Sequence, residues 1–191
     1  MQIGRLAARA VIGSLFVGHG TQKLFGWFGG PGIEGTEQMM GSLELSPTRA
    51  NAFAAGITET AGGALLVLGA GTPLAAAGLM GTMFTAIRTV HQPHGPWAAE
   101  GGWEYNAVLI AALAALVDGG PGDLSVDAAL DHEEWGPGWA LAGLALGAAA
   151  SAATIVLGRR AHSLADATPS ADSDVARATG NTAGDPVTAE D

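Results

Sequence analysis

The sequence predicts an all-α membrane protein: a membrane-spanning four-helix bundle, a fifth C-terminal transmembrane helix and a disordered tail. The chain has 191 residues, of which 48% are hydrophobic and only 14% are charged, against about 25% charged in an ordinary soluble domain. Its apolar residues gather in five segments that approach the roughly 20 residues needed to cross a bilayer core. A soluble helical core is the less favoured alternative.

The five segments are bounded by cap and turn signals. They run over about residues 6–25, 50–71, 73–90, 103–117 and 139–157. Ser46 and Pro47 fit an N-cap followed by an N1 proline before the second segment. Gly71-Thr-Pro73 predicts a very tight turn into the third. The fourth segment is short, so it needs local bilayer thinning or support from its neighbours.

The remaining segments predict a chain of three parts. Residues 1–130 would form the four-helix membrane domain, with a short interfacial helix over residues 36–45. Residues 131–160 would form an acidic loop and the extra transmembrane helix. Residues 161–191 have almost no large apolar side chains, which predicts a disordered acidic tail.

Composition limits the classes of function. The absence of cysteine excludes a disulfide framework, an iron–sulfur cluster, a zinc–thiolate site and thiol redox chemistry on this chain. The net charge is −10 and no segment is basic, which disfavours nucleic acid as a partner. Arg5 and Arg9 precede an apolar run as in a signal peptide. No clear small-residue cleavage site follows, which favours an uncleaved first membrane helix.

Lysine and arginine positions predict the topology of a multi-pass protein of the cell membrane. Arg5 and Arg9 lie at one end of the predicted bundle. The opposite end collects Lys23, Arg49, Arg88, Arg159 and Arg160. This distribution places the N-terminus and the acidic loop before the fifth helix outside. The first and third loops and the tail would then be cytoplasmic.

Small residues recur at the four-residue spacing that lets membrane helices approach closely. Two stripes have this spacing, Gly143-Gly147-Ser151 and Ala77-Gly81-Thr85. They predict closely packed helix faces, or they arise by chance in helices rich in alanine and glycine. The sequence leaves both readings open.

The candidate site centres on charges inside the predicted membrane helices, where a buried charge is expensive and is usually paired or functional. His19 and Lys23 lie one helical turn apart. Antiparallel packing of the first two segments brings Glu59 to a similar depth. We therefore expect Glu59 to pair with His19 or Lys23, directly or through water, with Arg9 closing the site from the far side.

Further candidates lie at the ends of the third and fourth segments. The predicted ligand-binding residues are Arg9, His19, Lys23, His91, Glu104 and Tyr105, with Glu59 as the catalytic candidate. Such a pocket could bind a polar head group, relay protons or ligate a cofactor, and structural ion pairs are the alternative. No metal site is predicted, and haem is disfavoured, because a lone histidine at a helix end is more often a hydrogen-bonding residue.

The stretch His19-Gly-Thr-Gln-Lys-Leu-Phe-Gly-Trp-Phe-Gly-Gly30 closely resembles the first-helix signature of the DoxX family of small bacterial and archaeal membrane proteins. Later landmarks match in order: Glu59 with Gly62-Gly63, Thr72-Pro73, His91, Glu104-Tyr105, and Gly120-Pro-Gly122 with Ser125 and Asp127. The resemblance covers about residues 5–130. It implies a four-helix membrane bundle, from which the chain departs after residue 130.

The resemblance also implies a membrane redox context. Members of the family are linked with quinone-dependent oxidoreductases, and others with membrane assemblies that handle oxidative and thiol stress. The chain would then bind a quinone and support electron transfer by a soluble or membrane redox partner. Two alternatives stay open: a non-catalytic scaffold that recruits soluble redox enzymes through the tail or residues 26–49, and a small-solute carrier, for which no inverted repeat is visible. Catalysis by the chain itself and homo-oligomerisation are also left open.

Overall fold

The computed structural model describes residues 3–132 and 134–167. This part of the chain contains helices joined by turns and no strand, which confirms the predicted all-α class. Its α-helices, in chain order, are α1 (Ile3–Phe25), α2 (Gly32–Ser42), α3 (Thr48–Leu68), α4 (Thr72–Ala86), α5 (Glu104–Gly119), α6 (Val126–Ala129) and α7 (Pro137–Ala167).

Helices occupy all five predicted segments, although their ends differ from the prediction. α4 continues beyond Ala86 as a single π turn over Ile87–His91. α7 continues past residue 157 to Ala167. Residues 161–167, which were predicted to be disordered, are therefore helical. Residues 168–191 of the predicted tail lie outside the described residues.

The predicted N-cap before α3 is wrong by one residue. Pro47 occupies the N-cap position and the helix begins at Thr48. Ser46 instead contacts α7: its amide donates to the carbonyl oxygen of Gly158 at 3.2 Å, and its hydroxyl lies 3.4 Å from Nδ1 of His162. Tertiary contact with a distant helix has replaced the local capping role.

The bundle has two ends, set by the antiparallel course of α1, α3 and α4. α1 packs along α3, and α3 returns into α4 through a turn in which Gly69 and Gly71 have φ of 63° and 54°. Glycine adopts these left-handed angles without a Cβ penalty. We call the end with Arg9 and this turn the Arg9 end. The end with Lys23, α2 and residues 87–103 is the Lys23 end.

The small-residue stripes of α4 and α7 face each other. A Cβ atom on Gly147 would lie 2.9 Å from the carbonyl oxygen of Ala77 and 3.0 Å from the amide nitrogen of Gly81. One turn further on, the hydroxyl oxygens of Thr85 and Ser151 lie 3.0 Å apart, within hydrogen-bond distance. Close packing therefore accounts for the two stripes, and α7 is an integral part of the bundle.

A second close interface joins α1 to α3. A Cβ atom on Gly13 would lie 2.6 Å from the carbonyl oxygen of Gly63, and one on Gly20 would lie 2.7 Å from that of Gly56. These glycines are seven residues apart on each helix. The sequence analysis missed this interface because it searched for the four-residue spacing, whereas these glycines are seven residues apart.

The core lies at the centre of the bundle, between α1, α3, α4, α5 and α7. Its largest fully buried apolar side chains are Phe16, Leu66, Leu79, Met80, Leu113 and Val117. Within the described residues, α3 and α7 are long and apolar enough to cross a membrane, judged by length and composition alone. α4 and α5 have 15 and 16 residues, so membrane crossing by all five predicted segments remains a proposal.

Candidate functional site

A cavity of about 710 Å³ lies inside the bundle, from its middle toward the Lys23 end. α1, α3, α4, α5 and α7 all contribute to its walls, and Met39 and Met40 of α2 lie over it. Most of the lining side chains are small or apolar. The volume falls within the roughly 300–1,000 Å³ that small-molecule sites usually have.

Lys23 and Glu59 form an ion pair in the wall of this cavity. The Nζ atom of Lys23 donates to Oε2 of Glu59 at 2.6 Å, and the two side chains are 22% and 5% exposed. Glu59 lies in the middle of α3, while Lys23 lies in the last turn of α1. Of the two expected pairings, the structure contains the direct one with Lys23.

Three other predicted site residues line the same cavity: His19, His91 and Tyr105. Nδ1 of His19 lies 3.2 Å from Oε1 of Gln22. Nδ1 of His91 lies 2.7 Å from the carbonyl oxygen of Gly101. Because a carbonyl oxygen only accepts, Nδ1 of His91 carries the proton, and Nε2 of a neutral ring is left as an acceptor. The structure thus brings polar side chains from α1, α3, α5 and the π turn after α4 to one cavity.

Arg9 is buried at the opposite end of the bundle. Its guanidinium donates to the carbonyl oxygens of Pro121 and of Leu124, the latter at 2.6 Å, and lies 3.4 Å from that of Val67. At 1.5 Å per residue, Arg9 is about 20 Å from Lys23 along α1. Arg9 does not line the cavity, so the structure does not bring it to the Lys23–Glu59 pair as expected.

Asp127 completes a hydrogen-bonded network beside Arg9. Its carboxylate accepts from the amides of Gly71 at 2.6 Å and Thr72 at 2.9 Å, which are the N-cap and the first residue of α4. A negative charge at this position also stabilises the helix through its dipole. The Gly120–Asp127 motif therefore fastens the chain after α5 to the α3–α4 turn.

Glu104 also lies away from the cavity lining. Its Oε1 atom accepts from the amide of Ala98 at 3.0 Å, which ties the start of α5 to the preceding 3₁₀ turn over Ala98–Glu100. This contact matches the alternative that the sequence left open, a structural partner near the end of the bundle. Its neighbour Tyr105 is the residue of the pair that lines the cavity.

Sequence reasoning missed the neutral polar groups of the cavity. Asn106 is buried in α5. Three threonines, Thr82 and Thr85 of α4 and Thr89 of the π turn that continues it, also line the cavity. Each threonine donates its hydroxyl hydrogen to a carbonyl of its own helix at 2.8 or 2.9 Å. Their spacing of three and four residues was the signal that could have revealed this part of the cavity wall.

The described residues contain no cluster of side chains suited to bind a metal ion. Within residues 3–132 and 134–167, no group of three or more His, Asp or Glu side chains is placed to hold a metal ion. The charged chemistry of the cavity therefore centres on one lysine, one carboxylate and two histidines.

Comparison with known proteins identifies the part of the chain that carries this site. No curated protein and no solved structure is significantly similar to the chain. The family model named DoxX matches residues 4–92, which contain His19, Lys23, Glu59 and His91. Tyr105 and all of α7 lie beyond the matched segment. Residues 4–92, which form the ion pair and most of the bundle around it, therefore carry a DoxX-family domain.

Proposed function

We propose that this DoxX-family protein is a multi-pass protein of the cell membrane that binds a quinone, or a similar amphipathic ligand, in its central cavity. The family match supports membrane character, and α3 and α7 have the length and apolarity of membrane-spanning helices. The observation that carries the ligand is the Lys23–Glu59 ion pair in the wall of a mostly apolar cavity.

The position of the pair argues for a ligand more than for stability. Taking two charges out of water costs several kcal/mol per ion, and their attraction often does no more than offset this. A pair that only held α1 to α3 could be replaced by packed apolar residues. Beside an open cavity, however, the same pair offers donors and an acceptor to a polar head group, while the apolar walls suit a hydrocarbon ring.

The donor set fits a quinone head group. The ammonium of Lys23 has three donors, of which Glu59 takes one, so it can also donate to a ring carbonyl oxygen. His19 offers a second donor on the same helix. Glu59 is placed to hold or pass a proton, as the catalytic candidate of the site. A bound quinone would supply two-electron, two-proton chemistry, and the electrons would come from a soluble or membrane redox partner.

Replacement of Glu59 by Gln tests this proposal. The change keeps the shape of the side chain and removes its negative charge. We expect Glu59→Gln to abolish quinone-linked electron transfer in membranes that contain the partner, while the protein still inserts and folds. Glu104→Gln is the matched control, because Glu104 lies outside the cavity lining. Unchanged activity in Glu59→Gln would remove the proton role from this residue.

A non-catalytic scaffold is the second candidate, favoured by an exposed aromatic group beside α2. Phe25, Trp27 and Phe28 are 61%, 57% and 78% exposed. Within residues 26–49, however, α2 packs on α1 and α3, so this segment is only partly free to recruit a partner. The scaffold therefore predicts that removal of residues 168–191 releases a bound enzyme from an intact bundle.

Native mass spectrometry of the mildly solubilised complex separates the two candidates. The quinone-binding proposal predicts a small molecule of quinone mass retained by the chain, with or without a redox partner. The scaffold predicts a soluble enzyme bound to a chain that retains no small molecule.

A further inference from the structure

The central cavity continues past the ion pair into a gap between α3 and α4. The two helices are joined tightly at the Arg9 end, where a Cβ atom on Gly62 would lie 3.1 Å from the Leu79 side chain. They are still in contact at Gly78, whose Cβ atom would lie 3.2 Å from Cγ2 of Thr58. The cavity lining begins at this level and follows both helices toward the Lys23 end.

The far wall of this gap belongs to α7. We call the extension the tail channel and define it by six lining residues: Ala54 and Thr58 of α3, Thr82 and Ala86 of α4, and Ala150 and Thr154 of α7. All six are small, and none is charged. The channel belongs to the same cavity as Lys23 and Glu59, so a single molecule can occupy both.

We propose that the tail channel holds the flexible hydrocarbon tail of the ligand, so that the protein selects a long-tailed quinone over a tailless one. The inference rests on the proposed function and specifies its substrate class. α7 lies outside residues 4–92, so the wall that gives this selectivity is built by a segment beyond the family match.

The chemistry of the channel suits hydrocarbon. The Thr82 hydroxyl donates its hydrogen to the carbonyl oxygen of Leu79 at 2.8 Å, so the only donor of this side chain is already satisfied. Ala54 and Ala150 are exposed on the outer side. They belong to α3 and α7, the two helices with the composition of membrane spans. The channel therefore opens where acyl chains would surround the protein, so a tail can lie partly in it and partly in the bilayer.

Ala150→Phe tests the channel by filling it. Affinity would be measured in lipid nanodiscs, per mole of lipid, for two probes: a quinone with a four-isoprene tail, and the same ring with a methyl group in place of the tail. We expect the unmodified protein to bind the tailed probe at least about tenfold more tightly, because the channel walls make packing contacts with the tail that the tailless probe cannot make. Ala150→Phe should remove that advantage and leave the affinity for the tailless probe within about twofold.

Ala153→Phe is the matched control, because Ala153 is an exposed residue of the same helix that does not line the cavity. Thr154→Phe fills the channel one turn further on and replaces Ala150→Phe if that variant does not fold. Equal affinity of the unmodified protein for both probes would overturn the channel but not the quinone site. The channel would also be overturned if Ala150→Phe lowered the affinity for both probes equally. Release of a co-purified phospholipid by Ala150→Phe, with no change in the affinity for either probe, would overturn it too. Binding of neither probe by the unmodified protein would overturn the proposed function and this inference together.

Discussion

Glu59 holds its carboxylate in an apolar wall because Lys23 lies 2.6 Å away on the neighbouring helix. The two side chains are not equally buried, at 5% and 22% exposed. Loss of the lysine would therefore leave the more deeply buried charge without its partner. Removal of one member of a buried pair is strongly destabilising, because the remaining charge is uncompensated.

Lys23→Met should therefore destabilise the protein by about 3 kcal/mol. The double variant Lys23→Met, Glu59→Gln should recover part of this loss, because it removes the stranded charge as well. Denaturant unfolding in detergent of the unmodified protein, both single variants and the double variant gives a double-mutant cycle. Strictly additive effects would mean that the ion pair contributes no coupling energy.

Arg9→Lys should destabilise the Arg9 end without weakening ligand binding. A lysine keeps the charge but lacks the planar fork with which Arg9 reaches carbonyl oxygens on two different segments. We expect a loss of about 1–3 kcal/mol, the cost of leaving a buried polar group unsatisfied. Thermal unfolding and quinone titration of the same samples check both halves of the prediction.

Loss of ligand affinity in Arg9→Lys without loss of stability would return Arg9 to the ligand site.

The sequence could place Lys23 and Glu59 together because both belong to adjacent helices, so depth along the axis decides whether they meet. It could not place Arg9, because the contacts of that residue are with Pro121 and Leu124, more than a hundred residues away. Hydrophobic periodicity contains no information on how such a loop folds back.

At the scale of helices, the approach of α1 to α3 depends on glycines that sequence reasoning did not select. Gly13 and Gly18 belong to the same helix and differ only in what faces them. A Cβ atom on Gly13 would meet Val67 and the Gly63 carbonyl oxygen at 2.6 Å, whereas one on Gly18 would meet nothing within 4 Å. The pair separates the effect of helix propensity from that of interhelical packing.

Gly13→Ala should destabilise the protein by about 1–3 kcal/mol, the usual cost of overpacking a close interface. Gly18→Ala should be neutral or stabilise by up to about 1 kcal/mol, because alanine is the better helix former. Denaturant unfolding of the two variants side by side checks the sign of each change. Equal effects at the two positions would mean that α1 and α3 are not held at backbone contact.

The helical elements themselves were largely predictable. Apolar runs and turn glycines located all five long helices. The four-residue stripes, for which chance was the open alternative, lie on the faces of α4 and α7 that pack together. The end of α7 was not predictable from composition. Residues 158–162 are held by contacts with Ser46 and Leu45 of the α2–α3 connection. The composition of the segment gives no sign of these contacts, because they depend on a distant part of the chain.

For the whole molecule, the arrangement of the two ends strengthens the predicted topology. Arg9 is buried in hydrogen bonds and Lys23 is paired inside the cavity, so neither should count as a topology signal. The remaining basic residues near the helices of the described part are Arg5 at the Arg9 end and Arg49, Arg88, Arg159 and Arg160 at the Lys23 end. This asymmetry favours a cytoplasmic Lys23 end.

Single cysteines should report this orientation directly, because the chain has none of its own. Ser42→Cys and Glu100→Cys place a thiol at the Lys23 end. Asp118→Cys places one at the end of α5, and Glu134→Cys places one on the connection between α6 and α7. All four positions are exposed. A membrane-impermeant maleimide should label positions 118 and 134 in intact cells, and positions 42 and 100 only after the membrane is permeabilised.

The two possible failures have different meanings. The reverse pattern would keep the fold and overturn the orientation, which would show that the surplus of arginine at the Lys23 end does not set it. Different labelling of positions 42 and 100 would contradict the bundle itself, since the fold places α2 and the 3₁₀ turn over Ala98–Glu100 at one end. Both segments contribute to the cavity lining. The ligand site, like the fold, therefore requires them to lie on the same side of the membrane.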